Sequence, residues 1–408
     1  MKRTRLIAIT SVILVLCLSL GIAVNAKNNP EPTGYNQAVY NICDFGAIPN
    51  DGKDDTNAFN LTVSMTAESV YVPPGVYNIS EPILVNSACL FGGGIDKTVI
   101  VADFENAREP IIWAGGNAQI RDMTIKFADD RIIGNEIAGE RPGIITSARG
   151  IRRLCRGAEI ANIKIQNVGT GIYAPEVAFF DKYSNSGEGA VAFSITFENI
   201  SVIDFSYRGI SMLSDARTGN VWRNIYLSSG KYEANTAIFF DGEESESSLT
   251  SITIADSKLK NGARFHDVLA GQITNLSFIN TRLKEDNTAF LYTENTDISI
   301  QGLTFENSAP VGDNQAFIRL GDAGFKQYYN SPNNGYLYVH NMTIYNPDVK
   351  VKANASQFMI ARKNKYLCEY VVDIDNLTVV ASKELKAQYE AFNYDKRDIA
   401  LTVNGEKK

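Results

Sequence analysis

Three aspartates recur at equal spacing in the middle of the 408-residue chain, and they are the first candidates for chemistry. The interval from Asp215 to Asp241 equals that from Asp241 to Asp267, and each aspartate follows a short apolar run. If one such interval makes one turn of a repeating fold, their carboxylates stack at the strand spacing of about 4.8 Å. Such a stack either keeps one carboxyl protonated or holds a hard cation such as calcium. The alternative interpretation is that aspartate is common where a strand enters a turn.

Both forms of the stack support chemistry on sugars. Paired acids hydrolyse glycosidic bonds, and calcium-bound acids neutralise a uronate, which eases removal of its C5 proton by Arg or Lys. Basic side chains lie near the aspartates in sequence. We therefore predict that the catalytic residues are Asp215, Asp241 and Asp267, and that the substrate-binding residues include Arg208, Arg264 and His266. No metal ligand is assigned, and calcium is the candidate cofactor.

An arginine-rich stretch forms a second candidate binding region. Residues 128–159 contain six arginines, although the chain as a whole is acidic: Arg131, Arg141, Arg149, Arg152, Arg153 and Arg156. Planar guanidinium groups bind carboxylate or sulfate through two parallel hydrogen bonds. We predict that Arg149, Arg152 and Arg153 bind substrate and that this insertion lies near the substrate groove. A solvated loop, in which the arginines pair with neighbouring acids, is the alternative.

A repeat in residues 199–308 must position these side chains. Five segments share a template of two apolar residues around one polar residue, and they begin at Asn199, Asn224, Ser251, Asn275 and Gly302. This alternation is typical of a strand with one buried face. We predict one internal column formed by Ile200, Ile225, Ile252, Leu276 and Leu303, and a second formed by Val202, Leu227, Ile254, Phe278 and Phe305.

Each repeat contains a further apolar run after a polar turn. These runs are Gly209–Leu213, Ala237–Phe240, Ala263–Phe265, Ala289–Tyr292 and Ala316–Leu320. Several short strands per repeat, without segments of helical period, exclude leucine-rich and helical solenoids. The pattern predicts an all-β, single-stranded parallel β-helix of about ten coils.

The N-terminus has the form of a secretion signal. A basic start precedes the apolar run Leu6–Val24, and small residues near Ala26 suit cleavage. A membrane anchor is the alternative. We predict a signal peptide over 1–26, a leader over 27–38 and a secreted or periplasmic protein without a membrane segment after cleavage. Without Lys2, Arg3 and Arg5 the chain has 36 basic and 46 acidic residues. This balance argues against nucleic acid as a partner.

Four cysteines follow the predicted signal: Cys43, Cys89, Cys155 and Cys368. An exported chain permits disulfides, but the sequence does not choose among the three possible pairings. Buried, unpaired thiols are the simpler interpretation. The sequence likewise leaves the oligomeric state open.

Residues 39–77 carry the most specific motifs of the chain. They contain Asp44-Phe45-Gly46-Ala47, then Asp51-Gly52 followed by Asp54-Asp55-Thr56, and Val72-Pro73-Pro74-Gly75. These motifs resemble the N-terminal signature of the pectate-lyase superfamily of right-handed β-helices, which includes rhamnogalacturonases, polygalacturonases, epimerase-like proteins and phage tailspikes. The resemblance implies a short capping helix at the N-terminal end. It also implies that the acids of this stretch serve turns and the cap rather than catalysis.

This resemblance sets the expected boundaries and function. We expect a β-helix domain over 39–380 and a polar C-terminal cap over 381–408. Polygalacturonases continue Asn-Thr-Asp with Asp-Asp, Gly-His-Gly and Arg-Ile-Lys, but here only Asn295-Thr296-Asp297 is present, without the motifs that should follow. We expect an enzyme acting on a polysaccharide, with acidic polymers among the candidates, as a polysaccharide lyase or glycoside hydrolase. A non-catalytic polysaccharide-binding, adhesin-like or tailspike-like protein is the alternative.

Overall fold

The computed structural model describes residues 39–66, 68–104, 109–128, 142–146, 154–174, 191–213, 217–245, 247–269, 271–294, 296–321, 334–350, 357–362, 369–383, 386, 389, 392–393 and 399–408. The predicted signal and leader lie outside these ranges, and residues from Val39 to Lys408 group into one unit by their contacts. Within the described ranges, no helix is long and apolar enough to cross a membrane.

A short cap begins this unit. Strand β1 (Val39–Asn41) leads into a 3₁₀ helix (Ile42–Phe45), and helix α1 (Thr56–Met65) follows. The 3₁₀ helix ends at Gly46, whose φ of 102° suits a residue without a Cβ. Phe59 on α1 is fully buried against the end of the core. The predicted N-terminal capping helix is therefore present.

Aspartates of the cap hold its turns together. Asp54 Oδ1 accepts hydrogen bonds from the backbone N–H groups of Thr56 (3.0 Å) and Ser80 (3.1 Å). Asp55 Oδ1 accepts one from Ile48 (3.0 Å). Burial alone would raise the pKa of Asp54, but the hydrogen bonds from Thr56 and Ser80 together lower it. Asp54 and Asp55 thus have the structural role that the sequence predicted.

The rest of the unit consists almost entirely of strands. In chain order they are β2 (Ser69–Val72), β3 (Gly75–Ile79), β4 (Ile83–Asn86), β5 (Cys89–Gly92), β6 (Thr98–Ala102), β7 (Ile112–Gly115), β8 (Gln119–Phe127), β9 (Pro142–Thr146), β10 (Leu154–Arg156), β11 (Glu159–Ala174), β12 (Val191–Phe193), β13 (Thr196–Met212), β14 (Arg217–Thr218), β15 (Val221–Ser228), β16 (Glu233–Ser245), β17 (Ser248–Ala255), β18 (Lys258–Leu269), β19 (Gly271–Ile279), β20 (Arg282–Leu283), β21 (Ala289–Glu294), β22 (Asp297–Glu306), β23 (Gln315–Gly321), β24 (Asn334–Asn346), β25 (Gln357–Arg362), β26 (Glu369–Asp375), β27 (Thr378–Ala381), β28 (Phe392–Asn393), β29 (Ile399–Val403) and β30 (Glu406–Lys407).

Two long runs of parallel pairing organise most of these strands, and a short third run joins β3, β6 and β8. One, here called the ladder sheet, joins β2, β5, β8, β11, β13, β15, β17, β19, β22, β24, β26 and β29 in that order. The other, here called the site sheet, joins β4, β7, β9, β11, β13, β16, β18, β21, β23 and β25. The long strands β11 and β13 run through both. This is a right-handed parallel β-helix, as predicted.

The interior of the β-helix contains the two predicted columns. Pairing places Ile200, Ile225, Ile252, Leu276 and Leu303 side by side, and it does the same for Val202, Leu227, Ile254, Phe278 and Phe305. All ten side chains are at most 1% exposed. Successive coils therefore bury apolar faces that no single coil could bury alone.

The eight consecutive strands of the ladder sheet from β8 to β24 each contain a residue with positive φ. Asn162, Asn199 and Asn224 have φ near 53°, a region in which asparagine is enriched among non-glycine residues. Their amides bond from coil to coil: Asn199 Nδ2 donates to Asn162 Oδ1, and Asn224 Nδ2 donates to Asn199 Oδ1, both at 3.0 Å. The same position is glycine at Gly302, where a Cβ would lie 2.7 Å from Asn275 Oδ1. The repeating asparagines are therefore structural.

The parallel sheet continues beyond the predicted boundary at residue 380. Strand β29 pairs in parallel with β26, and Ile399, Leu401 and Val403 are buried. An antiparallel partner, β30, then ends the described chain. Residues 399–403 alternate apolar and smaller or polar side chains and thus extend the sheet, whereas we predicted a polar cap there.

The Cys43 and Cys89 thiols are free, and the side chains of Cys155 and Cys368 lie outside the described residues.

Candidate active site

The outer face of the site sheet carries two adjoining columns of polar and aromatic side chains. Pairing aligns Asp241, His266 and Glu294 in one column. It aligns Phe239, Arg264, Tyr292 and Arg319 in the other. Core side chains alternate with them along the strands, since Phe240 and Phe265 are buried in the interior. These seven residues, together with Arg208 of β13, are called the site cluster below.

The predicted aspartate ladder is not formed by Asp241 and Asp267. Asp241 pairs with His266, the residue before Asp267, whereas Met212 on the preceding coil pairs with Phe240. More residues separate Met212 from Phe240 than separate Asp241 from His266. A register irregularity follows between Asp241 and Glu244. The coils therefore differ in length, and equal spacing in sequence does not translate into stacking. Asp215 and the side chain of Asp267 lie outside the described residues, so their catalytic role stays a prediction.

Asp241 and His266 instead form a hydrogen-bonded pair. His266 Nδ1 contacts Asp241 Oδ1, and the two side chains reach solvent, with 24% of the histidine and 39% of the aspartate exposed. When Nδ1 carries the proton, it donates to the carboxylate, and Nε2 then has the lone pair that accepts a proton. A carboxylate in this position orients the imidazole and stabilises its protonated form. The pair thus has the parts of a general base.

Arg264 is held by a carboxylate and two aromatic rings. Its Nε and Nη2 donate to Glu294 Oε2 at 2.9 and 2.5 Å. Its guanidinium carbon lies 5.2 Å from the ring centroids of both Phe239 and Tyr292. Glu294 is 7% exposed, whereas Arg264 is 36% exposed. Nη1 has no hydrogen bond within the described ranges, so Arg264 is oriented and still has donors for a ligand.

Arg208 lies beside this group without a carboxylate partner. Its guanidinium carbon is 3.8 Å from the Phe239 ring centroid, and Nη1 donates to Ser211 Oγ at 2.8 Å. Nη2 donates to the Tyr207 hydroxyl at 3.3 Å. Burial lowers the pKa of Arg208, and the positive charge of Arg264 lowers it further. Among the described residues no acid forms an ion pair with Arg208.

Arg319 and Tyr292 extend the cluster by one coil. Arg319 is 2% exposed, and its Nη2 donates to the Asn314 carbonyl. Burial lowers its pKa. Burial and the neighbouring Glu294 carboxylate raise the pKa of Tyr292, whose hydroxyl donates to Glu294 Oε1 at 3.2 Å. Tyr292 is therefore a neutral phenol at neutral pH.

The described side chains of the site cluster have an excess of positive charge. Three guanidinium groups face two carboxylates, in a chain whose formal charge is −7. Arg208 and Arg319 are both buried, and among the described residues neither forms an ion pair, although the Asp241 carboxylate raises the pKa of Arg208 from a distance; burying an incompletely compensated charge is costly. Such an arrangement is typical of a site that completes its charge balance with a bound anion.

Sequence reasoning found part of this cluster. The structure brings Asp241, Arg264 and His266 together and places Arg208 next to them, while their catalytic and binding roles stay predictions. Glu294 also belongs to the Asp241 column, since it pairs with His266. Tyr292 and Arg319 were missed. The sequence signal that could have found them is the outward-facing position two residues before the members of the Asp241 column. Arg264 has this position before His266, and Tyr292 has it before Glu294.

The arginine-rich insertion is only partly described. Within residues 128–159, β9 is not a loop but a strand of the site sheet, paired with β7 and β11. Arg149, Arg152 and Arg153 lie outside the described residues. The strand that precedes them ends at Thr146, on the same sheet as the site cluster. Their place near a groove stays a prediction.

A calcium site has no support in the described chain. No group of three or more His, Cys, Asp or Glu side chains suited to a metal ion occurs among the residues whose positions are given. The calcium prediction depended on stacked aspartates, and Asp241 stacks on a histidine instead. Calcium binding is therefore a prediction without a described ligand set.

Sequence comparison matches residues 39–258 to the profile described as rhamnogalacturonase A/epimerase, pectate lyase-like. This match spans more than half of the chain and includes the cap, β1–β17 and part of the site sheet. No curated protein sequence matches the chain significantly.

Solved structures share the fold at low sequence identity. The catalytic unit of the GH87 α-1,3-glucanase of Streptomyces thermodiastaticus has a TM-score of 0.50 and 13% identity, covering 93% of this chain and 69% of that one. The A-module of the Azotobacter vinelandii mannuronan C-5 epimerase AlgE6 has a TM-score of 0.49 and 15% identity, covering 90% and 98%. At this identity the likeness concerns the fold alone.

Proposed function

The chain belongs to the rhamnogalacturonase A/epimerase, pectate lyase-like family, and we propose that it is a polysaccharide lyase whose substrate contains uronate residues. Membership makes it a carbohydrate-active β-helix protein. The observation that carries the finer proposal is the pairing of an exposed Asp241–His266 dyad with the guanidinium of Arg264 on one outer face. A base and an anion-binding group are the two parts that elimination from a uronate requires.

Arg264 is the group best placed to bind the uronate carboxylate. Glu294 and the two flanking rings fix its plane, and Nη1 remains for the ligand. A bound guanidinium withdraws electron density from the carboxylate and so makes the adjacent C5 proton more acidic. Arg208 adds positive charge nearby, because it lies on the same Phe239 ring. Preorganised charged groups of this kind are commonly the main source of an enzyme's rate enhancement.

His266 is the proposed base. Its Nε2 takes the C5 proton, the C5–H electrons form the C4–C5 double bond, and the C4–O glycosidic bond breaks. The leaving oxygen takes a proton from water. Asp241 holds the imidazole in the required tautomer and stabilises the imidazolium that forms. Because Asp241 and His266 pair on neighbouring strands, their backbones lie about 4.8 Å apart along the β-helix axis.

Glycoside hydrolysis is the second candidate, because Asp241 and Glu294 share one column two strands apart. Their backbone separation is therefore about 10 Å, close to the carboxyl spacing of roughly 6.5–9.5 Å in inverting hydrolases. Such an enzyme needs one carboxylic acid that is protonated near neutral pH. Glu294 is 7% exposed and accepts two hydrogen bonds from Arg264, so it orients the guanidinium and is not open to a glycosidic oxygen. We therefore favour elimination.

The experiment uses the chain from residue 27 with polygalacturonate, rhamnogalacturonan, alginate and hyaluronan, and with neutral galactan as the uncharged comparison. Ultraviolet absorbance of an unsaturated uronate, together with new reducing ends, supports the lyase. New reducing ends alone indicate a hydrolase, and retention on an acidic polymer without product indicates a binding protein.

Two variants make this assay specific to the site cluster. His266→Ala should abolish product formation. Lys258→Ala, on the same strand and in an exposed pair with Glu233 (3.6 Å), should not. Equal activity of wild type and His266→Ala would refute the proposed role of the histidine.

A further inference from the structure

A second polar and aromatic surface lies on the ladder sheet, away from the site sheet. Strand β24 places Tyr336, Tyr338 and His340 on its outer face, since Leu337 and Val339 between them are fully buried. Pairing puts acidic and amide side chains beside them on β22 and β26: Asp297, Gln301, Asp373 and Asp375. These seven residues are called the second surface below.

The two tyrosines provide flat apolar contact area. Their ring centroids are 6.2 Å apart, and the ring planes differ by 13°. Both side chains are half-buried, so their bases are anchored while part of each ring remains accessible. Near-parallel aromatic rings on one strand suit the apolar faces of a ligand with flat, repeating units, and their hydroxyls reach water.

A depression of about 710 Å³ lies at His340, two residues along β24 from Tyr338, and offers hydrogen-bonding groups. Gln301, His340 and Asp375 line it together with the turn amides of Asn341, Asn376 and Asn404. His340 Nδ1 contacts Asp375 Oδ2 at 2.7 Å, and their side chains are 43% and 49% exposed. Aromatic contact area beside a few fixed polar groups is the usual composition of a small-ligand site.

Charge selects the class of ligand. Asp297 lies beside Tyr336, Asp373 beside Tyr338 and Asp375 beside His340, and none of the residues that pair with these three positions on β22 and β26 is a lysine or arginine. A polyanion is therefore repelled, in contrast to the cationic site cluster. We propose that the second surface binds a neutral, extended polysaccharide, with sugar rings on Tyr336 and Tyr338 and hydroxyl groups hydrogen-bonded in the depression. This inference does not rest on the lyase activity.

Affinity electrophoresis of the chain from residue 27 in gels containing soluble neutral galactan tests the proposal. The wild type should be retarded, and the double variant Tyr336→Ala/Tyr338→Ala should bind about tenfold more weakly, as expected for the loss of two aromatic contacts. Tyr345→Ala is the matched control. Tyr345 is on the same strand and 45% exposed, but it follows the Asn341 bend. Its loss should leave retardation unchanged.

Further gels assign the binding to one surface. Arg264→Ala in the site cluster should not alter galactan retardation. The inference is overturned by any of three results: no retardation of the wild type, equal retardation of the double tyrosine variant, or loss of retardation in Arg264→Ala alone. Circular dichroism of each variant establishes that the fold is intact.

Discussion

The ion pair of Arg264 and Glu294 permits a quantitative test of how the site is built. Arg264 is 36% exposed and Glu294 is 7% exposed, so the pair lies between an exposed and a buried one. Exposed pairs contribute roughly 0.2–1 kcal/mol, and loss of one partner from a buried pair costs about 3–5 kcal/mol. We expect Arg264→Ala to lower the free energy of unfolding by about 2 kcal/mol, because it leaves the Glu294 carboxylate buried and unpaired.

Removing the orphaned charge should reverse part of this loss. The double variant Arg264→Ala/Glu294→Gln is expected to recover about 1 kcal/mol relative to Arg264→Ala. The single variant Glu294→Gln completes the double-mutant cycle that gives the coupling energy. Lys260 and Glu285 provide the matched pair, since they are 3.0 Å apart and 44% and 47% exposed. Lys260→Ala on the same strand should cost less than about 1 kcal/mol.

Urea unfolding at neutral pH gives these free energies, and product formation from the best uronate polymer gives activity. Stability should recover in the double variant, but activity should not, because the guanidinium that binds the uronate carboxylate is still absent. Two results would refute the reasoning. One is a coupling energy no larger than that of Lys260 and Glu285, and the other is restored activity in the double variant.

Three further predictions concern the base, the core and the cap. Asp241→Asn should reduce kcat by about 10²-fold or more while the fold stays intact, since general-base catalysis contributes roughly 10²–10⁴-fold; unchanged kinetics would remove Asp241 from the mechanism. Leu276→Ala should lower the free energy of unfolding by about 2–5 kcal/mol, and urea unfolding should show a much smaller effect for its neighbour Ser277→Ala. In the folded chain the pKa of Asp54 is below its ordinary value of 3.8. Its contribution to stability is therefore present above pH 3.8 and is lost as the pH falls through the folded pKa. Asp54→Asn should remove this pH dependence, which acid-unfolding measurements would show as a flatter stability curve in this range.

The coil architecture was accessible from the sequence because it depends on local periodicity. Alternation of apolar and polar residues determines which side chains face inward, and the recurring asparagine marks each bend. The internal columns through Ile225 and Leu227 therefore appeared in the predicted register. The cap was equally accessible, since the hydrogen bonds of Asp54 and Asp55 connect residues of one short motif and its neighbouring strand.

The membership of the site cluster depended on the lengths of individual coils, which the average repeat period does not give. Asp241 and Asp267 have the spacing of the repeat, but coils on the site sheet differ in length, so Asp241 pairs with His266 and Glu294 joins the same column. One residue added to or removed from a turn changes which sequence positions meet on neighbouring coils, while the strands stay paired because the turn absorbs the change. Sequence alone thus determined the β-helix and its inward faces. Only the tertiary structure decided which polar side chains meet on the outside, because that pairing is set by the lengths of turns on neighbouring coils.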